Sequence, residues 1–294
     1  MAGFVLSCCS TADLDAAHFA AREIQYVCFH YRLDGKELVS SPMMPCFGRA
    51  ITENDFGAGL HKSMAPWLYP EFKVLGVDRS SDRRVAVRYG VGKVAEVNVI
   101  YDLLEDGSVR VTESLENVAP DAPCLFRFGM EFSMPGEFGV LDFYGEGPFE
   151  NYVDRQSASE LGRYVQKVSE QYHYGYVRPQ ESGTHTGMKW MRVLNAEGTG
   201  LEMISEERFS ASALPFARRD IDLSVTGGGR YDRGDQRHSL ELKPDGFTHI
   251  NIDLKQMGLG CKDSWASKPR EKYMINAGPM TFSFILRPVI QARM

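Results

Sequence analysis

A dense group of charged and amide side chains follows a Gly-Pro turn in the middle of the chain. It comprises Glu150, Asn151, Asp154 and Arg155. Carboxylates and amides accept and donate hydrogen bonds in pairs, which suits the neighbouring hydroxyls of a sugar, and arginine adds a planar, charged donor. The group therefore fits a sugar-binding surface, but it also fits a hydrogen-bonded corner between two strands. The residues alone leave both interpretations open.

A glycine-rich, polar loop near the end of the chain presents a tryptophan. Gly258 and Gly260 precede Asp263, Ser264 and Trp265. An indole face stacks well on the C–H face of a sugar ring, because both surfaces are apolar and the π face attracts polarised C–H groups. The alternative is an indole that folds back to cap the core. Again the residues leave both interpretations open.

The histidines and cysteines offer weaker candidates. His173 and His185 flank a polar stretch, and imidazoles can act as acids and bases near neutral pH. The seven histidines show no HxH or HExxH spacing, and the six cysteines show no CxxC pair. The sequence therefore indicates neither a metal site nor a disulfide framework.

Composition limits the class of partner. The chain has 294 residues, 43% of them hydrophobic and 24% charged, with a formal net charge of −6. This composition is typical of a globular protein, and the acidic balance argues against binding to nucleic-acid phosphates. No apolar run approaches the roughly 20 residues of a membrane-spanning helix. We expect a neutral ligand or a protein partner, with no nucleic acid and no membrane.

Alternating apolar residues recur along most of the chain, which is the pattern of half-buried β-strands. The runs occupy residues 85–91, 97–101, 109–111, 126–134, 250–254 and 282–286. A Glu-Asp-Gly turn at 105–107 makes the second and third runs a hairpin. We therefore predict an all-β protein of antiparallel strands stacked as sheets.

One segment has the apolar spacing of a helix, and it covers residues 161–172. The composition marks no domain boundary after about residue 25. Residues 1–22 are predicted to be a lead-in or a cloning remnant, and residues 23–294 a single domain.

Two segments of the chain match sequence motifs of a known protein family. Gly145–Arg155 has the arrangement Gly-x-Gly-Pro-x-Glu-Asn-Tyr-x-Asp-Arg, and Pro45–Gly57 is close to Pro-x-Phe-Trp-Arg-Ala-Pro-Thr-Asp-Asn-Asp. In the second motif Gly48 replaces Trp, Ile51 replaces Pro and Glu53 replaces Asp. Both motifs resemble segments in the C-terminal portion of glycoside hydrolase family 2 β-galactosidases, the large lactose-cleaving enzymes of bacteria.

Two further motifs continue the resemblance. Tyr176–Gly183 resembles the family's Tyr-Val-x-Pro-Gln-Glu-Asn-Gly, and Met257–Trp265 resembles its Met-Gly-x-Gly-x-x-Asp-Ser-Trp loop. The likeness spans about residues 24–288. It implies the last domain of such an enzyme, a large antiparallel β-supersandwich similar to galactose mutarotase. It also implies an irregular or extended stretch where the apolar spacing predicts a helix.

The resemblance implies a retaining mechanism in which one glutamate is the acid/base and another, about 5 Å away, is the nucleophile. Both would lie on a (β/α)₈ barrel, which needs about 250 residues of strand–helix units that this chain does not have. The isolated chain is therefore expected to be inactive. Magnesium and sodium assist family members through barrel residues, so no cofactor is expected in this chain.

The resemblance also assigns roles to residues. Trp265 is expected to form an apolar platform for the substrate, with Asp263 and Ser264 fixing its loop. The residues expected to support the pocket wall are Glu150, Asn151, Asp154 and Arg155.

Three functional hypotheses follow. The first is the C-terminal domain of a retaining β-galactosidase, which binds the galactoside and completes the pocket of an upstream barrel domain or large subunit. The second is a free-standing carbohydrate-binding module or small subunit. The third is an aldose 1-epimerase that uses His173 and His185. The resemblance suggests a bacterial cytoplasmic or periplasmic location, and a homo-oligomer would fit the family.

Overall fold

We analysed a computed structural model of the chain, which describes residues 31–33, 36–222, 224, 238–260, 262 and 267–290. Most of this part of the chain forms antiparallel strands. The strands are β1 (Arg32–Leu33), β2 (Lys36–Glu37), β3 (Met44–Cys46), β4 (Phe72–Ser81), β5 (Arg84–Val91), β6 (Ala95–Leu103), β7 (Val109–Glu116), β8 (Arg127–Pro135), β9 (Val140–Gly147), β10 (Glu160–Lys167), β11 (His185–Leu194), β12 (Gly200–Leu214), β13 (Phe247–Gln256) and β14 (Met280–Val289).

Short helices connect some of the strands. The α-helices are α1 (Glu53–Gly57), α2 (Leu60–Ser63) and α3 (Ala65–Leu68). The 3₁₀ turns cover Val168–Glu170, Arg218–Asp220, Ser239–Glu241 and Glu271–Tyr273. Within the described residues, no helix is long and apolar enough to span a membrane.

Twelve of the described strands form one curled sheet. Its main path runs β10-β9-β11-β12-β14-β7-β6-β5-β4, and a branch leads from β12 through β13 and β8 to β3. Strand β12 serves both arms, because its residues 200–204 pair with β14 and its residues 210–214 pair with β13. This long strand therefore connects the branch to the four-strand meander β4–β7, which it reaches through β14.

The strands alternate in burial, and their inward residues form a large core. Val97 and Val99 are fully buried, as are Phe126, Phe128 and Met130. Trp67 of α3 is also fully buried, and its ring packs edge-on against Phe47 with centroids 5.4 Å apart. Each such side chain contributes roughly 1.5–3 kcal/mol by leaving water, so this core holds the curled sheet together.

The all-β antiparallel prediction is confirmed, and each predicted strand run falls within or overlaps an observed strand. The helix predicted from spacing at 161–172 is wrong. The segment forms β10 and a 3₁₀ turn, as the resemblance implied. Its apolar residues are not a buried stripe, since Leu161 is 43% and Val165 is 62% exposed. Pairing with β9 and a forked ion pair from Arg163 to Asp142 determine its extended form instead.

Residues 1–22 lie outside the described residues. The assignment of residues 23–294 to a single domain stays a prediction.

Candidate functional site

Asp154 binds the beginning of the glycine-rich loop. Its carboxylate accepts hydrogen bonds from the backbone N–H groups of Leu259, at 3.0 Å, and Gly260, at 2.9 Å. Gly260 has φ +85°, a conformation that favours glycine. A Cβ added to Gly258 would lie 2.4 Å from the Asp154 carboxylate. The loop backbone and Asp154 therefore fit closely, and the glycines permit that fit.

Arg49 binds the same segment from its carbonyl side. Its guanidinium donates to the backbone oxygens of Met257, at 2.8 Å, and Gly258, at 3.1 Å. The same side chain forms a forked ion pair with Asp55, with N–O distances of 2.7 and 3.0 Å. Both charged side chains are buried, at 0% and 1% exposure. Burial opposes the charge of Arg49, but Asp55 outweighs it and raises the pKa of the guanidinium.

Asp55 is positioned by a short helix. Thr52 caps α1 by accepting from the Asp55 backbone N–H at 3.1 Å, and the Asp55 carboxylate accepts from the Thr52 N–H at 3.1 Å. This reciprocal capping box leaves the carboxylate free to accept from Arg49 as well. Within the motif at 45–57, the capped helix thus positions Asp55 to pair with the buried Arg49.

A second buried ion pair lies next to the first. Arg127 donates to Glu181 at 2.9 Å, and Glu181 also accepts from Gln256 at 2.9 Å and from Thr184 at 3.2 Å. Arg127 lies 3.6 Å from Asp253. Burial raises the pKa of Asp253 to about 7, even though Arg127 acts in the opposite direction.

Glu150 connects two of the sequence motifs. Its carboxylate accepts from the Tyr176 hydroxyl at 3.0 Å, from the Ser182 hydroxyl at 3.0 Å and from the Gly183 N–H at 2.7 Å. Gly183 has φ +76°. These three hydrogen bonds tie the motif at 145–155 to the motif at 176–183.

Asn151 and Arg155 form further hydrogen bonds. The Asn151 amide donates to the backbone oxygens of Glu146, at 2.9 Å, and Phe149, at 3.0 Å, and accepts from the Thr186 N–H at 3.0 Å. Arg155 donates to the Tyr176 hydroxyl at 3.5 Å. Asn151 is completely buried. These contacts form a hydrogen-bonded corner, and the pocket-supporting role of the cluster stays a prediction.

The structure therefore brings the four sequence motifs to one place, in a network of buried hydrogen bonds around Met257–Gly260. Asp263, Ser264 and Trp265, which follow after Cys261 and Lys262, lie outside the described residues, so their roles stay predictions. Sequence reasoning missed Arg49, Asp55 and Glu181 as site residues. The Thr-x-x-Asp capping signature at Thr52 is readable in the sequence. The backbone oxygens of Met257 and Gly258 that Arg49 binds have no local signal, because they lie 208 and 209 residues away.

The two histidines suggested for acid–base work are in different environments. His185 is buried, with its Nε2 2.9 Å from the Gln171 side-chain oxygen. Burial lowers the pKa of His185 to about 4, so its imidazole is neutral at pH 7. His173 is exposed and packs on the Tyr176 ring, with centroids 4.6 Å apart. In the described part of the chain, no group of three or more His, Cys, Asp or Glu is placed to hold a metal ion.

Comparisons with known proteins agree with the resemblance. A family described as beta galactosidase small chain matches residues 25–286. The β-galactosidase of Priestia megaterium is 30% identical over 291 residues, covering 93% of this chain and 26% of that protein. The β-galactosidase of Halalkalibacterium halodurans is 31% identical, covering 85% of this chain and 24% of that protein. That of Streptococcus thermophilus is 29% identical, with 88% and 25% covered.

The chain thus spans about a quarter of the length of the curated relatives that it matches. The family match covers all four motifs whose side chains meet around Met257–Gly260. By this match, the chain belongs to the β-galactosidase small-chain family.

Proposed function

We propose that this chain is the C-terminal part of a retaining β-galactosidase, where it completes the substrate pocket and binds the galactoside. The catalytic glutamates would lie on a barrel outside this sequence. One observation carries the proposal. Asp154 and Arg49 hold Met257–Gly260 from both its N–H and its carbonyl side. Trp265 follows five residues after Gly260.

The physical role of that arrangement is to limit the freedom of the loop. An indole on a mobile loop would lose conformational entropy each time a sugar stacked on it, and this loss would weaken binding. A loop base fixed by a carboxylate and a buried guanidinium loses that freedom during folding. Trp265 would then present its face to the sugar, while residues of the barrel perform the proton transfer and the nucleophilic attack.

The proposal is tested with nitrophenyl β-galactoside. The chain alone, purified free of host β-galactosidase, should show no turnover, and activity should appear when it is joined to or mixed with the barrel-bearing part. In that active enzyme, Trp265→Ala should raise KM by roughly 5- to 30-fold, the loss expected for about 1–2 kcal/mol of stacking. The control is Phe247→Ala, which removes another aromatic side chain, 43% exposed, from the start of β13.

Two results would oppose the proposal. Turnover by the chain alone would mean that carboxylates within these residues perform the chemistry. An unchanged KM in the Trp265→Ala enzyme would remove the platform role.

The family's description as a small chain favours a second arrangement, in which this chain is a separate subunit. Co-purification with a larger, barrel-bearing chain would support that form. A reading frame that continues upstream into the barrel would support the fused form.

A further inference from the structure

Strand β10 lies at one end of the main sheet path, and β9 is its only partner among the described strands. The two strands pair along the whole length of β10 in one unbroken antiparallel register. The ladder continues one residue further, because the Val168 N–H donates to the Gly139 oxygen at 2.9 Å. The other edge of β10 therefore faces no described strand.

The register determines which backbone groups point to this open edge. In an antiparallel ladder, residues that exchange both hydrogen bonds with the neighbouring strand alternate with residues that exchange none. Val168 bonds to β9, so the even-numbered residues of β10 do the same. The N–H and C=O groups of Leu161, Arg163 and Val165 consequently point away from β9. No backbone group in the described loops and turns bonds to these three residues.

The side chains at the same positions are exposed and partly apolar. Leu161 is 43% and Val165 is 62% exposed. Tyr144, the cross-strand neighbour of Arg163 on β9, lies on the same face and is 36% exposed. Exposed apolar side chains along an unpaired edge favour the addition of another strand.

The charged residues of β10 are already paired. Arg163 donates to both carboxylate oxygens of Asp142, each at 2.9 Å, and its guanidinium lies 5.9 Å from the centroid of the Trp190 ring. Asp142 belongs to β9 and Trp190 to β11, so the Arg163 side chain leans across the sheet, away from the open edge. At the end of β10, Lys167 forms an ion pair with Glu170 at 3.3 Å.

A second copy of the same strand fits this edge. Two antiparallel copies related by a two-fold axis must bring odd-numbered residues opposite odd-numbered residues, because only these have backbone groups to exchange. With Arg163 on the axis, Leu161 of each copy lies opposite Val165 of the other. Apolar side chains then meet twice, and the two edges exchange about six main-chain hydrogen bonds. Each Arg163 brings its own Asp142, so the axis joins two compensated charges.

The neighbouring registers are less favourable. With Tyr164 on the axis, Leu161 would lie opposite Lys167. With Gly162 on the axis, Leu161 would lie opposite Arg163. Either shift sets an apolar side chain against a charged one, which weakens the cross-strand contact. The residue pattern therefore selects the pairing centred on Arg163.

We propose that β10 is a dimerisation edge, at which two copies of this chain join their sheets into one continuous antiparallel sheet centred on Arg163. This interface goes beyond the pocket-completing role and does not depend on it.

Cross-linking tests the register. In the proposed dimer the Cα atoms of the two Arg163 residues are roughly 5.5 Å apart, and a disulfide spans roughly 4.4–6.8 Å. Arg163→Cys should therefore give a disulfide-linked dimer under mild oxidation, beyond any that the unsubstituted chain forms. The matched control is Val165→Cys, whose two copies are separated by roughly 13 Å along the strands and should not cross-link.

Sedimentation velocity of the full chain tests the dimer itself. The unsubstituted chain should be a dimer at micromolar concentrations. Leu161→Lys should weaken dimerisation by roughly tenfold or more, because it places a charge opposite Val165, while the far-ultraviolet circular dichroism stays the same. The matched control is Leu75→Lys, at a leucine that is 39% exposed in β4, the other end of the sheet path. It should change the dissociation constant by less than about twofold.

Three results would each overturn the proposal. They are a monomeric unsubstituted chain, equal effects of Leu161→Lys and Leu75→Lys, and cross-linking of Val165→Cys as efficient as that of Arg163→Cys. None of them affects the proposed function, which is read from turnover and KM.

Discussion

At the scale of single residues, Asp154 has a measurable role because two backbone N–H groups depend on it. Asp154→Ala leaves both donors without their acceptor, and we expect the free energy of unfolding to fall by about 1–3 kcal/mol. Asp121→Ala, at an exposed turn, is the control and should change it by less than about 0.5 kcal/mol. Urea denaturation measures the free energy of unfolding of both variants. Equal losses in the two variants would refute an anchoring role for Asp154.

Glu113 is a second residue with a large expected effect. It lies in β7, is fully buried, and neither of its carboxylate oxygens has a hydrogen-bond partner in the described structure. Burial, and after it the nearby Asp253, raises the pKa of Glu113 well above its ordinary value. The folded state therefore favours the protonated, neutral carboxyl group of Glu113. The full stability of the folded state is present below about pH 4.3, the pKa of a glutamate in an unfolded chain. Stability is lost as the pH rises from there toward the raised pKa of the folded state.

Glu113→Met removes this penalty while keeping a similar shape. We expect it to increase the free energy of unfolding by about 1–3 kcal/mol at pH 7, with a smaller gain at pH 5. Glu116→Met, at an exposed position of the same strand, is the matched control. Chemical denaturation at pH 5 and pH 7 measures the free energy of unfolding of the unsubstituted chain and of both variants. A gain that is the same at pH 5 and pH 7 would contradict the pKa argument.

At the scale of elements, α1 supplies two contributions that mutation can separate. Thr52→Ala removes only the cap and should cost about 1 kcal/mol. Asp55→Asn also removes the partner of a fully buried guanidinium and should cost about 3–5 kcal/mol. Thermal and chemical denaturation measure both. Equal losses would mean that Arg49 does not depend on the charge of Asp55.

The pairing of β8 with β13 depends on a close backbone approach. A Cβ at Gly129 would lie 2.1 Å from the backbone oxygen of Ile252, whereas one at Gly76 in β4 would meet nothing within 4 Å. We expect Gly129→Ala to cost more than about 3 kcal/mol or to prevent folding, and Gly76→Ala to be nearly neutral. Soluble yield and melting temperature of the pair provide the check. A stable Gly129→Ala protein would show that the two strands can separate without penalty.

The strands differ in how well the sequence predicts them. The meander β5–β7 follows directly from alternation and a turn signal, because each strand has one face on the core. Strand β10 is at the end of the sheet path and has few buried side chains, so its alternation is weak and its apolar residues mimic a helix. Helices α1–α3 are too short for periodicity, and the capping box at Thr52 is their main local signal.

At the scale of the whole molecule, a core shared by the meander and the branch predicts one unfolding transition. The larger of the two buried clusters in the described residues includes residues from both parts of the sheet, for example Val99 and Ile252. We expect the far-ultraviolet circular dichroism and the tryptophan fluorescence to change at the same temperature. Two separated transitions would show that residues 23–294 contain more than one domain.

The residues of the candidate site are easier to predict from the sequence than the contacts between them. The motif at 145–155 is readable in the sequence, which predicts that Glu150, Asn151, Asp154 and Arg155 support the pocket wall. The partner of Asp154 is not predictable, because Leu259 lies 105 residues away and only the fold brings the two together.

Strand β14 comes last among the described strands but lies in the interior of the sheet, between β12 and β7. On the ribosome, a nascent chain that ends before residue 280 therefore has two partial sheets with unpaired edges. Open edges template wrong pairings, and contacts between distant segments form slowly. Translation of this protein therefore leaves those edges open to wrong pairing until the final described strand emerges.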